Sequence, residues 1–352
     1  MILDFDETQV SIRDAARDVC SPKSAQASRN GAEVWQQFAE LGWTGVALPE
    51  ALGGSEGSLI DAGLIALEMG RGGLFHGFAD TVALSVALAE AAPGDTTIAA
   101  LLTEVAAGDT ALAFALRIDA DDPLAAVTPG CKALGLVAEP VARRTMIITL
   151  VDGDTPVLVT IDLAQASSRL VQTTTHEKDS QVDLQASLAN ATTLLRGAAA
   201  TRAWQRAVSA YRLLACTQLI GAARQFLDLA HDYSKVRQQF GKLIGSFQAV
   251  QHALAETLAA TDGAEVLAFK ALHWARASTE EPIVNAAICF TRESVWTALM
   301  KSYDVLGGVG YMEEHPLSRY TRKLFPVLAS LGSAEQCEAN ASVGVYKGAY
   351  LS

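Results

Sequence analysis

The chain has 352 residues, half of them apolar, and carries 39 acidic against 27 basic side chains for a formal net charge of −12. A chain of this length buries a large core and leaves room for two or three structural units. Its acidic balance speaks against nucleic acid and anionic membrane surfaces as partners, because both attract positive faces. The opening segment, MILDFDETQVSIRDAARDVC, is amphipathic and acidic, unlike a secretory leader, and charge interrupts the long apolar runs well short of a membrane span. A cytoplasmic location is the expectation. Cys20, Cys131, Cys216, Cys289 and Cys337 are scattered and never in CxxC spacing, which indicates neither a disulfide framework nor a metal site.

In chain order, residues 1–111 read as an N-terminal helical domain with breaks at Ser21-Pro22, Pro49 through Gly57, Gly70 to Gly73 and Ala92-Pro93-Gly94. Residues 112–196 read as a central β domain. ALAFALRI and TMIITLVDGDTPVLVTIDL are dense in Val, Ile, Leu and Thr, and the DGDTP turn predicts a hairpin. One such block predicts a small barrel or sandwich, with the polar run Thr175 to Gln181 as a connector. Residues 197–352 read as a C-terminal four-helix bundle. Trp204, Val208, Tyr211, Ala215, Leu219, Ala222, Phe226 and Tyr233 sustain one helical face for about eight turns. Helical stretches near 246–277, 281–306 and 333–350 complete an antiparallel bundle. The fold class is mainly α with a central β unit.

Two constellations carry chemistry. In HDYSKVRQQFGKLIGSFQAVQHALAE, His231 to Glu256, Lys235, Arg237 and Lys242 fall close together with no carboxylate between them, against the acidic background. Arg237 offers a planar fork suited to a pyrophosphate, Phe240 a flat apolar surface and Gln248 an amide that donates or accepts. A basic turn between core helices, with Phe240 and Phe247 packed inside, accounts for the same residues. In DVLGGVGYMEEHPLSRYTRKL, Asp304 to Leu324, Gly307 and Gly308 end a helix, either as a plain C-cap or as bare backbone that a ligand can approach.

Together, RxxFGxxIxxFQxxQHxLA and GGxGYxxEHPLxRxxR resemble the acyl-CoA dehydrogenase family, as does LGWTGVALPEALGG, Leu41 to Gly54. The resemblance spans the chain in the order helical, β, helical. It implies an enzyme that takes an α proton and a β hydride from an acyl-CoA thioester, the hydride passing to FAD and the proton to a glutamate base. It also implies that the adenosine diphosphate half of FAD is clasped by a neighbouring subunit's bundle, and that an electron-transfer flavoprotein accepts the electrons. Carried over by motif, Arg237, Gln239, Phe240, Phe247, Gln248, Gly307 and Gly308 would be that clasp. Asp304 stands where the family commonly has a glutamine near the dinucleotide.

The chain departs from the family where the chemistry is done. Counting forward from Arg322, Leu331 stands at the usual position of the base. Other members place the base upstream in a Glu-Arg pair; counting back from Arg237, that pair is Tyr211-Arg212 here. Leucine takes no proton, and a tyrosine of ordinary pKa, about 10, is a poor base at neutral pH. The family's TEPxxGSD is replaced by ALRIDADDPLA, which brings Asp119, Asp121 and Asp122 near the expected flavin ring, where like charge would oppose hydride acceptance. Glu335 is the nearest substitute carboxylate, displaced by about one helical turn. The resemblance therefore implies a subunit of a heteromeric dehydrogenase, similar to the shorter partners of α2β2 steroid-type enzymes of actinobacteria. It would lack its own base and complete the FAD site of a homologous partner. A self-contained homotetramer with an atypical base, and a flavin-free structural or CoA-ester-binding member of the fold, are the alternatives.

Overall fold

Helix starts are written locally in the sequence. Asp6 accepts from the backbone of Gln9 while the Gln9 side chain accepts from the backbone of Asp6, and Ser58 and Asp61 repeat that reciprocal cap two helices later. The computed structural model describes residues 4–21, 31–75, 77–130, 133–137, 142, 144–172, 178–274 and 282–346. The N-terminal helices are α1 (Glu7–Cys20), α2 (Gly31–Glu40), α3 (Leu59–Gly72), α4 (Phe78–Ala91) and α5 (Thr96–Ala106).

Strands follow as β1 (Thr110–Phe114), β2 (Leu116–Arg117), β3 (Leu134–Val137), β4 (Arg144–Val151), β5 (Val157–Asp162), β6 (Ser168–Gln172) and β7 (Lys178–Asp183). A short α6 (Leu184–Ser187) leads to β8 (Thr192–Arg196). They form two four-stranded sheets, ordered β1-β4-β5-β8 and β2-β3-β7-β6. The DGDTP hairpin pairs β4 with β5 in antiparallel register, Met146 opposite Asp162 through Val151 opposite Val157. Side-chain alternation decides what each face covers. Ile147 and Ile161 pack with Val137 and Val182 of the second sheet, whereas Met146, Ile148, Leu150 and Leu158 pack into the helical core. The β unit is thus a sandwich leaning on helices. Within the expected connector Thr175 to Gln181, Lys178 to Gln181 pair with β6 as part of β7, while 175–177 lie outside the described residues. Ladder pairing overrides the polar composition of that stretch.

The predicted long helix is α7 (Gly197–Val236), 40 residues. A two-residue hairpin, β9 (Gln238–Gln239) with β10 (Lys242–Leu243), connects it to α8 (Gln248–Trp274), and α9 (Pro282–Leu306), α10 (Pro316–Ser330) and α11 (Ala334–Tyr346) follow. Helix α10 was not among the expected stretches. Pro326 lies inside it and argues against a helix, but Pro316 at the first turn and the His315 cap start it and the amphipathic face carrying Leu317, Tyr320 and Leu324 buries it. Of the cysteines, Cys20, Cys216 and Cys337 are buried and Cys289 is half-buried, while Cys131 lies outside the described residues. Among the described residues no helix is long and apolar enough to cross a membrane.

Helix α7 touches both other units, and its crossing with α3 is made at backbone distance. A Cβ on Gly221 would collide with the carbonyl of Leu67, and one on Gly70 with the carbonyl of Gln218. The two helices hold glycine where they meet, and Arg71 reaches Asp228 at 2.6 Å beside the crossing. Gly221→Ala is expected to force the helices apart and to destabilise the protein by about 3 kcal/mol, read as a lowered midpoint in urea unfolding with an unchanged slope.

Candidate functional site

The end of α7 delivers the first constellation. Arg237 leaves the helix in an extended conformation, and its carbonyl accepts from Ile244 at 2.9 Å, closing the base of the hairpin. Phe240 and Gly241 both take positive φ, 54° and 79°, the conformation a tight two-residue hairpin demands. Left-handed backbone is costly for an aromatic residue. Phe240 is nonetheless 92% exposed, with its ring edge-on to Phe247 at 6.2 Å, while Lys242 Nζ lies 4.3 Å from the Phe247 ring centroid. The alternative in which Phe240 packs inside a plain turn is therefore wrong. Arg237, Gln239 and Gln248 are exposed as well, and no carboxylate pairs with Arg237 among the described residues.

The second constellation lies at the same end of the bundle. Arg224 of α7 bonds Asp262 and Glu265 of α8, and Ser294 of α9 bonds Ala260 of α8. From those levels α7 and α9 each run on about 12 residues in the same direction, roughly 18 Å. Gly307 has φ 58°, and a Cβ on Gly307 or Gly308 would meet nothing. Tyr303 and Tyr311 stack at 4.2 Å beneath this turn, and Asp304 is exposed with Lys301 Nζ 3.9 Å away. His315 caps α10 through Leu317 N, so its role in the EHP turn is structural, and burial lowers its pKa.

A third cluster forms where α7, α10 and the β unit converge. Tyr211 OH donates to Ser330 Oγ at 2.8 Å, and its ring leans on Phe114 of β1 at 5.2 Å. Leu331 is completely buried beside Ser330. Burial, with the Asp80 carboxylate adding to it, pushes the Tyr211 phenol up. Arg212, 7% exposed, reaches Asp122 Oδ1 at 2.8 Å, and Asp119 pairs with Arg117 at 3.0 Å. The carboxylates of the ALRIDADDPLA loop are thus partly neutralised by guanidinium groups, and the repulsion expected from the sequence is smaller than three bare charges would give. Glu335 is exposed in the first turn of α11 and aligned with the helix dipole.

One titratable group here was not found in the sequence. Asp80, in the first turn of α4 and half-buried, accepts from Phe114 N at 3.3 Å, and burial pushes its carboxyl up to about 6. It lies in no motif, and 131 residues separate it from Tyr211, which topology alone brings near.

An acyl-CoA dehydrogenase N-terminal domain model matches residues 4–109, and an acyl-CoA dehydrogenase C-terminal domain model matches 195–335. The chain belongs to the acyl-CoA dehydrogenase family. It is 26% identical over 294 residues to acyl-CoA dehydrogenase IpdE2 of Mycolicibacterium smegmatis, covering 82% of this chain and 80% of that protein. Its fold matches the Tcur3481-Tcur3483 steroid acyl-CoA dehydrogenase G363A variant (TM-score 0.81, 22% identity, 97% of this chain and 99% of that one). It also matches the ChsE4-ChsE5 complex from Mycobacterium tuberculosis (TM-score 0.80, 19% identity, 99% of each chain). In this acyl-CoA dehydrogenase fold, Tyr211 bonds Ser330, the residue before Leu331.

The pH dependence of the cluster follows from Asp80. Its folded pKa lies above the ordinary carboxylate value of 3.8, so the folded state holds the proton more tightly and stability is lost as pH rises from about 4 to 6. Asp80→Asn, which keeps an acceptor for Phe114, is expected to melt higher than the wild type at pH 7. The two melting temperatures should converge near pH 4; a constant offset across that range would contradict the assignment.

Proposed function

We propose that the chain is the base-lacking subunit of an FAD-dependent acyl-CoA dehydrogenase, whose bundle completes the FAD site of a homologous partner. The partner would carry out α,β-desaturation of an acyl-CoA thioester. The observation that supports this reading is the third cluster: a buried leucine and a proton-retaining phenol stand at the two positions that motif counting matches to the family base, the phenol bonded to Ser330 beside Leu331. Family-level activity is oxidoreduction, and the IpdE2 likeness extends over most of the chain. Pairing of two related chains has its precedent in the ChsE4-ChsE5 complex.

The residues present fit one half of FAD. Arg237 presents an exposed guanidinium, without a carboxylate partner among the described residues, for a pyrophosphate, Phe240 and Phe247 present ring surface, and Gly307 and Gly308 leave their backbone uncovered at the same end of the bundle. Gln239 and Gln248 add amides at the rim, and Asp304 could accept from a ribose hydroxyl. FAD supplies the hydride acceptor when bound. This chain's share is to bind and orient the nucleotide from outside, while Tyr211 and Leu331, at the positions matched to the family base, supply no proton acceptor. Electron-transfer flavoprotein is the proposed electron acceptor of the assembly, and a cytoplasmic location is proposed with it.

A self-contained enzyme with an atypical base has one observation in its favour, the raised carboxyl of Asp80 near Tyr211. Glu335, being exposed, adds nothing to it. Co-expression with its gene neighbours separates the readings. The proposed assembly yields one FAD per two chains, and Arg237→Ala weakens FAD retention by about tenfold. A homogeneous homo-oligomer with one FAD per chain that oxidises acyl-CoA contradicts it.

A further inference from the structure

Arg212 is a buried cation with an incomplete set of acceptors. Its side chain is 8% exposed, NH2 donates to Asp122 Oδ1 at 2.8 Å, and the fully buried Nε has no acceptor among the described residues. A buried guanidinium left short of acceptors is costly, so the position demands an anion. Leu331 and Tyr211, at the two family base positions, supply none. Asp122 meets the demand from one side only, because it hangs from the irregular loop after β2 and offers a single oxygen to a single nitrogen. Its carboxylate is half open to solvent, at 49% exposure, and the same Oδ1 also accepts from Leu124 N at 3.0 Å, so it is shared between the loop backbone and Arg212. Gly332 backs the other side. A Cβ there would lie 3.0 Å from Arg212 NH2 and 3.4 Å from Cζ, a tight contact that the glycine, held at φ 90°, avoids.

We propose that Arg212 anchors a carboxylate-binding subsite in this chain, and that Asp122 is its intramolecular place-holder. A carboxylate free of the loop's constraint would displace Asp122 and bond NH2 and Nε side by side, the bidentate arrangement that guanidinium favours. The ligand class is an aliphatic carboxylate, either a free acid or one carried at the far end of an acyl thioester. The subsite does not depend on whether the bundle completes a partner's FAD site, and binding rather than turnover tests it.

Calorimetric titration of the purified chain, and of the chain with its copurified partner, uses succinate, succinyl-CoA and butyryl-CoA, the two thioesters being matched in length. Asp122→Asn removes the competing charge from an exposed loop position, with circular dichroism as the check on folding. It is expected to tighten succinyl-CoA about tenfold and leave butyryl-CoA within about twofold. Arg212→Lys, which keeps the charge but not the fork, should abolish the gain. A matching gain for free succinate identifies a free acid as ligand; a gain confined to succinyl-CoA identifies an acyl-borne carboxylate. The proposal is overturned if Asp122→Asn leaves carboxylate affinity unchanged or weaker, if both thioesters gain alike, or if neither carboxylate probe binds.

Discussion

Everything in this molecule is referred to one 40-residue helix. Helix α7 packs on α3 through glycine at backbone distance, on α4 and the β sandwich through its N-terminal half, and on α8 and α9 as well. A helix so fixed at many points has little freedom to slide or rotate, since interiors packed to crystal density transmit displacement rather than absorb it. The two regions proposed to be functional, Tyr211-Arg212 and Arg237, are thereby held about 26 residues apart, close to 39 Å along the axis. They cannot serve one small molecule end to end without a second chain or a long ligand.

The same helix separates two electrostatic regimes. At its end, cationic and aromatic side chains stand in water with few partners of their own, the arrangement expected of a surface made for an anionic, flat-ringed ligand. In its middle, a phenol held protonated by burial and a guanidinium tied to a loop carboxylate hold a closed seam between bundle and β unit. Loss of a base at one position could be repaired by a carboxylate at the other. Here Tyr211 bonds Ser330, the neighbour of Leu331, and neither position carries one.

The long helices, the β4–β5 hairpin and the basic junction were legible because each rests on local chemistry: 3.6-residue periodicity, β-branched density about a turn, and charge against background. What escaped was decided by tertiary context. The strand character of Lys178 to Gln181 comes from pairing with β6, not from its polar residues. Helix α10 survives an internal proline because its buried face compensates for a lost hydrogen bond. Asp80 acquires its raised pKa from burial near Phe114 and Tyr211, which no window of sequence reveals. Phe240 could be read from the sequence either as ring surface for a ligand or as core, and hairpin geometry turns it outward.

The central claim is that neither position matched to the family base supplies a proton acceptor in this chain. Single-turnover bleaching of FAD absorbance by acyl-CoA, measured on the copurified assembly with Tyr211→Phe in this chain, tests it most directly. Removing the one ionisable group at either base position should leave the bleaching rate within about twofold; a fall of about a hundredfold or more, the scale of a lost general base, would contradict the account.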